Sequence, residues 1–326
     1  MSSIPLPGKS ALPRGRARSF YRRLRAGEQL AYTVAATAGA SILLITGLIV
    51  LELYAQSGPS RAKFGWSFLT TSVWDPVAGT FGALPFIYGT VSTSLLALAI
   101  AIPLGLGSAI FLAELAPPRI SNGLTFLIEL LAAVPSVVYG LLGIFVLVPF
   151  LRESLVPALK PVFGELPIFN GPFYGVSVFS AGLVLSIMIV PFIISVSREV
   201  LLAVAREQRE ASLALGASQW QTVWRVVLPN AFSGIVGSIF LALARALGET
   251  MAVTMVIGNT PQIKSSLLAP GYSIAAVIAN EFGEASGDLY RSALIQLGLV
   301  LFGVTFVING MARILILTTA GKGAHS

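Results

Sequence analysis

The sequence predicts an all-α integral membrane protein with six membrane-spanning helices. Three observations lead there. Apolar residues make up 55% of the chain and charged residues 11%, with a mean hydropathy of +0.85, a balance foreign to soluble globular domains. Six apolar runs are long enough to cross a bilayer, at about 31–53, 90–115, 124–150, 175–197, 231–257 and 292–317. Basic residues are also unevenly shared between the two sides. With the amino terminus inside, 14 of the 21 fall on inner segments and six on outer ones, leaving Arg245 within a span, as the orientation rule requires. Both termini are then cytoplasmic, and topology accounts for the formal net charge of +7.

Residues 1–29 form a basic tail holding Lys9 and six arginines between Arg14 and Arg25. The first span, 30–54, carries an apolar run of about 23 residues, whereas a cleavable signal core has roughly 7–15. It therefore reads as a retained helix. Pro7-Gly8-Lys9-Ser10 lacks the upstream glycine and the preceding strand of a phosphate loop. Residues 55–86 are broken by Gly58, Pro59, Gly65, Pro76, Gly79, Gly82 and Pro85 and carry Phe64, Trp66, Phe68, Trp74 and Phe81. Such rings favour the membrane–water boundary, so this segment is expected to lie on the outer face as an interfacial helix or loop. Residues 87–317 hold the remaining five spans, with a polar inner loop at 198–230, and 318–326 form a cytoplasmic tail. Prolines and glycines punctuate the spans at Pro103, Pro135, Gly140, Gly143 and Pro191, where neighbouring helices can satisfy freed backbone groups.

The inner loop has a legible local grammar. Ala203, Ala205, Ala211 and Ala214 favour helix, Gly216 suits the left-handed residue that ends it, and Ser218 suits the cap of a second helix. Pro229 is expected to break the chain before the next span. Small residues at Ala211, Ser212 and Gly216 leave a shallow surface for a partner's groove; a solvated loop with no partner is the alternative. The run E-A-S-x-x-x-G, from Glu210 to Gly216, is followed by nine residues and V-V-L-P. It resembles the EAA signature of permease subunits in ATP-binding-cassette importers, with Ser212 in place of the usual alanine and Val226 in place of the usual isoleucine. That resemblance implies a type I importer permease of MetI-like architecture, with Glu210, Ala211 and Gly216 shaping the coupling helix seated on an ATPase.

Arg245 and Glu249 lie four residues apart in the fifth span, a spacing that places both on one helix face within ion-pair reach. A charge near the centre of a span costs roughly 2.5–3.5 kcal/mol on insertion scales, so such residues face the bundle interior. A guanidinium offers a planar fork of donors to an oxyanion. The carboxylate repels a fully ionised anion but accepts a proton from one carrying an O–H, which phosphate has at neutral pH and sulfate lacks. A self-satisfied pair that fixes helix register fits the same spacing.

Longer stretches narrow the family. Ala244 to Thr254 (ARALGETMAVT) with Ile257-Gly258-Asn259, Glu129 to Gly140 (ELLAAVPSVVYG), Ile278 to Phe282 (IANEF), and the segment from Trp74-Asp75-Pro76 through Phe86 to Thr90 resemble phosphate importer permeases of the PstC family. The likeness runs from about Phe64 to Leu317. It implies a bacterial plasma-membrane importer subunit that pairs with a related PstA-like permease. PstB-like ATPases dock beneath it and a PstS-like phosphate-binding protein delivers from outside. The family's intramembrane pair falls on Arg245 and Glu249 as lining of the substrate path. Glu129 is a further candidate, either lining the path or snorkelling to the inner interface. Asn280 and Glu281 admit contact with the binding protein or a solvated loop end.

Other classes fit less well. No thiol chemistry is available without cysteine, the lone histidine is His325, and both aspartates, Asp75 and Asp288, lie outside the spans, so neither catalysis, a cofactor nor a metal site is expected. No G-x-x-x-x-G-K-[ST] occurs, so ATP hydrolysis must come from a separate subunit. A channel or ion-driven carrier is disfavoured by the EAA loop, and permeases for molybdate or sulfate are the nearest alternative within the importer class.

Overall fold

The computed structural model describes residues 14–323, almost entirely as helices. The expected tails lie partly outside these residues: 1–13 and 324–326, with His325, are not among them. The chain divides after Ala55 into two units. The first is one helix, α1 (Arg14–Gln56), whose stretch Gln29–Gln56 is apolar enough to span. No proline interrupts it. Thr33, Thr37, Ser41 and Thr46 donate their hydroxyls to carbonyls three or four residues earlier, so none needs water.

The second unit begins with α2 (Gly58–Phe64), α3 (Ser67–Thr70) and a hairpin of β1 (Trp74–Asp75) and β2 (Thr80–Phe81), paired antiparallel with Trp74 opposite Phe81. Asp75 Oδ1 closes the turn by accepting the amides of Val77 and Ala78. Five spans follow, with shorter helices between them. They are α4 (Leu84–Leu115), α5 (Pro118–Ala132), α6 (Ser136–Phe163), α7 (Val178–Leu202), α8 (Arg206–Ala214), α9 (Gln219–Gly248), α10 (Met251–Ile257), α11 (Ile274–Glu281) and α12 (Asp288–Gly323). With Gln29–Gln56, six helices among the described residues are long and apolar enough to cross a membrane.

The core is the seam between α4 and α7, the most extensively packed pair. Ala97, Ala101 and Ala181 let the backbones approach, and Leu185, Met188, Ile189 and Ile193 fill the space between. A buried hydroxyl pair, Ser197 to Ser238 at 2.8 Å, ties α7 to α9.

The structure corrects the sequence-based expectations in four places. The rings of the aromatic segment do not all seek a boundary: Phe68, Phe81 and Phe86 are fully buried in a small core with Tyr272, Ile274 and Leu294, and of its five named rings only Trp66 stands out, at 86% exposed. Trp74 packs edge-on against Phe81 and Phe86, both at 4.8 Å, because rings with a common buried neighbour gain more from each other than from an interface. The third apolar run is two helices, since Pro135 disfavours helical backbone at Val134 and the chain leaves α5 at Ala133. The fifth run is also two helices, broken between Gly248 and Met251. Pro229, by contrast, breaks nothing.

The reason lies in a pattern that recurs along the chain. Four π-turns, Phe111–Leu115, Gly143–Leu147, Leu151–Leu155 and Val223–Val227, each precede a proline by two residues: Pro117, Pro149, Pro157 and Pro229. A proline in a helix lacks an amide and presses on the carbonyl four residues back. Widening that turn to i→i+5 bonding relieves the pressure, as when Leu228 donates to Val223, and the helix continues. At Pro117 the following Pro118 and the extended Ala116 end it instead.

Gly89 supplies a test of the packing. A Cβ there would lie 2.2 Å from the Tyr272 carbonyl oxygen, whereas one at Gly107 would meet nothing within 4 Å. Gly89→Ala should destabilise the purified protein by at least about 1–3 kcal/mol. Gly107→Ala should stabilise it by about 0.5–1 kcal/mol. Thermal unfolding in detergent measures both.

Candidate functional site: a broken span and a capped loop

The break in the fifth run falls between the two candidate charges. Arg245 occupies the last turn of α9, and its guanidinium lies 6.0 Å from the centre of the Phe192 ring on α7. Glu249 has left the helix, with extended backbone at φ −69° and ψ 125°. The two side chains therefore do not stack on one helical face, and among the described residues no ion pair joins them. Glycine at 248 is the poorest helix former after proline, and the carboxylate beyond it has a better use. Glu249 Oε1 accepts the amide of Ala252 at 3.1 Å, holding one of the orphan donors at the start of α10.

Irregular backbone inside an apolar run is tolerated only where protein buries it or a cavity receives it. Here α6 supports it from one side. Gly140 lets α6 meet α10 so closely that an added Cβ would sit 3.2 Å from Ala252 Cα. Tyr139 is buried and donates its hydroxyl to the Leu131 carbonyl at 2.7 Å, bridging the gap at Pro135. Sequence reading passed over Tyr139 and Phe192, for neither carries a charge that marks it. Glu129 lies exposed on α5, and no hydrogen bond or ion pair of its side chain links it to Arg245 or Glu249.

The 206–230 loop matches its local signals closely. Gly216 adopts φ +85°, its amide donates to Leu213 and that of Ala217 donates to Ser212, the bond pair that closes a helix on a left-handed residue. Ser218 then caps α9: its hydroxyl accepts the Gln221 amide while the Gln221 side chain accepts the Ser218 amide. Glu210, Ala211 and Gly216 are exposed, as is Leu215 at 90%. Trp220 and Trp224, half-exposed and edge-on at 5.7 Å, extend the apolar face of the same loop. The loop is thus a helix–turn–helix with a bare glycine corner and exposed apolar side chains.

These features have relatives. A family model for the inner membrane component of binding-protein-dependent transport systems matches residues 101–318, which include the loop and the broken span. The phosphate transport system permease protein PstC of Mesorhizobium japonicum is 44% identical over 91% of this chain and 92% of its own length. The chain belongs to the PstC family of transport-system inner membrane components. PstC of Pasteurella multocida is 47% identical over 86% of this chain and 89% of its own, and PstC of Xylella fastidiosa 42% over 99% of each. In fold, the chain resembles a crystal structure of a bacterial alginate ABC transporter in complex with an alginate-bound periplasmic protein, with a TM-score of 0.57 at 15% identity, covering 91% of this chain and 98% of that one. The expected all-α, six-span permease architecture is thus borne out, and this is a multi-pass inner membrane protein.

At the end of the bundle opposite the 206–230 loop, the exposed Asn280 and the half-buried Glu281 are bonded to neighbouring elements. Glu281 Oε2 accepts both the Trp74 indole N–H at 2.9 Å and the Tyr290 hydroxyl at 2.6 Å, and Asn280 donates to the Tyr272 hydroxyl at 3.1 Å. Burial pushes the Tyr272 phenol up to about 12, so it stays neutral and available as an acceptor.

If the carboxylate of Glu249 caps α10, Glu249→Ala should speed amide hydrogen exchange at Ala252 about fivefold, the equivalent of a lost cap of ~1 kcal/mol. Glu249→Gln, which keeps the accepting oxygen, should leave exchange there unchanged.

Proposed function

We propose that this chain is the transmembrane permease subunit of an ATP-driven importer that carries inorganic phosphate into the bacterial cytoplasm. It works with a second, related permease, two ATPase subunits, one of them docked on the 206–230 loop, and an extracytoplasmic phosphate-binding protein. Identity of 42–47% to PstC permeases over most of the chain supports the substrate and these partners. The excess of basic residues on one set of loops supports cytoplasmic termini.

The observation that carries the route is the break at Glu249. It leaves a cation and a carboxylate four residues apart in an apolar run, and among the described residues no ion pair commits either to the other. Phe192 lies behind the Arg245 guanidinium, whose N–H edges are free to fork onto an oxyanion. Glu249 gives Oε1 to the Ala252 amide, and Oε2 keeps its lone pairs for the O–H of hydrogen phosphate. A doubly ionised anion with no proton to give meets only repulsion there. Glu129 has a lesser part, on the approach along α5.

Glu249→Gln separates this role from capping. It keeps the bond to Ala252 but places an N–H₂ where the acceptor stood, so selectivity for labelled phosphate over sulfate should fall about tenfold in the reconstituted complex, the worth of one charged hydrogen bond. Unchanged selectivity with intact capping would sink the proposed recognition, and preferential uptake of sulfate or molybdate by the unaltered complex would reassign the substrate. Gly216→Val forces a β-branched residue into the left-handed region at the bare corner of the loop. It should lower uptake per ATP hydrolysed or release the ATPase on purification; normal coupling would argue against docking at this corner.

A further inference from the structure

We propose that Arg209 and Glu114 form a latch that binds the 206–230 loop to α4 and α7, so that the three move as one body. The proposal rests on the importer reading, in which that loop receives motion from an ATPase, and it identifies the positioning residues that pass the motion on.

The geometry is a fork on a carboxylate. Arg209 Nη2 donates to Glu114 Oε1 at 2.7 Å and Nε donates to Oε2 at 3.2 Å. The same guanidinium donates to the carbonyls of Leu201, at 2.7 Å, and Val204, at the end of α7. One side chain of α8 thus holds the ends of both helices of the central seam. The two side chains are only 18% and 9% exposed, so water competes weakly for the pair. Glu114 is itself fixed. It sits in the π-turn that ends α4, and its carbonyl accepts the Gln219 side-chain amide at 2.6 Å. Both helices of the loop are therefore bonded to the same residue. Two residues before Glu114, the Leu112 carbonyl accepts the Ser121 hydroxyl at 2.8 Å, which adds α5 to the assembly.

A loop held only by its chain ends would swing when pushed and leave the spans behind. A buried, bidentate pair with two further carbonyl bonds resists that swing in every direction the fork spans. A second ion pair, Arg198 with Glu199, has a carboxylate 72% exposed and joins neighbours in one helix, so it cannot serve in this way.

The chain has no cysteine, so two spin labels can be placed on it before assembly without background from its own thiols. Labels at Glu207→Cys on α8 and Leu104→Cys on α4 report the loop-to-seam distance in the assembled complex with ATPase bound and without substrate. With the latch intact, the distribution should be narrow and the same with and without ATP. Glu114→Gln keeps the shape and removes the charge; it should broaden the distribution and shift it between nucleotide states, and uptake per ATP hydrolysed should fall about tenfold. Arg209→Lys keeps the charge and loses the fork, and should fall between the two; it decides the matter if Glu114→Gln fails to assemble. A distance that shifts with ATP in the unaltered chain, or a wild-type ratio of uptake to hydrolysis in both variants, overturns the latch. Because the distances are read without substrate, a complex that carries no phosphate would sink the substrate assignment and leave this comparison intact.

Discussion

In an apolar medium every backbone amide and carbonyl must find its partner inside the protein, and much of this structure follows from that constraint. Pro149, Pro157 and Pro229 would each orphan a carbonyl, and there the chain answers with π-turns that end two residues upstream. Hydroxyls in α1 bond back to their own helix. Where the chain does break, a side chain stands in: Tyr139 takes the Leu131 carbonyl at the Pro135 gap, and Glu249 takes the Ala252 amide at the gap in the fifth run. The candidate path is thus built at a place where backbone continuity was given up and a charged group does the satisfying.

How much of this the sequence disclosed depends on the range of the physics involved. The turn of the loop was legible, because Gly216 and Ser218 act on residues within one turn of themselves, whereas the effect of Pro229 was not. The number of spans was legible because hydropathy is a property of runs. Breaks inside those runs were not, since Val134-Pro135 and Gly248-Glu249 are short interruptions in stretches whose composition otherwise argues for continuity. Pro135 did carry a local signal, and its apolar neighbours masked it.

Long-range partners were hidden for a different reason. Arg209 and Glu114 lie 95 residues apart, and each reads alone as an ordinary charge beside a span. Glu281 looked like a solvent-facing acid on a loop until Trp74 and Tyr290, from two other elements, closed on it. The aromatic segment misled in a similar way, because spacing says that rings are present and not whether they meet lipid headgroups or one another.

The π-turn before Pro229 has a consequence for torque. Gln219–Gly248 is one unbroken helix of 30 residues, about 45 Å from end to end, with Trp220 near its start and Arg245 near its finish. A helix is stiff against torsion, so twisting at the tryptophan end is felt at the guanidinium with little loss along the way. Had Pro229 severed the two, the Arg245 end would hang from a swivel; instead it turns with the shaft.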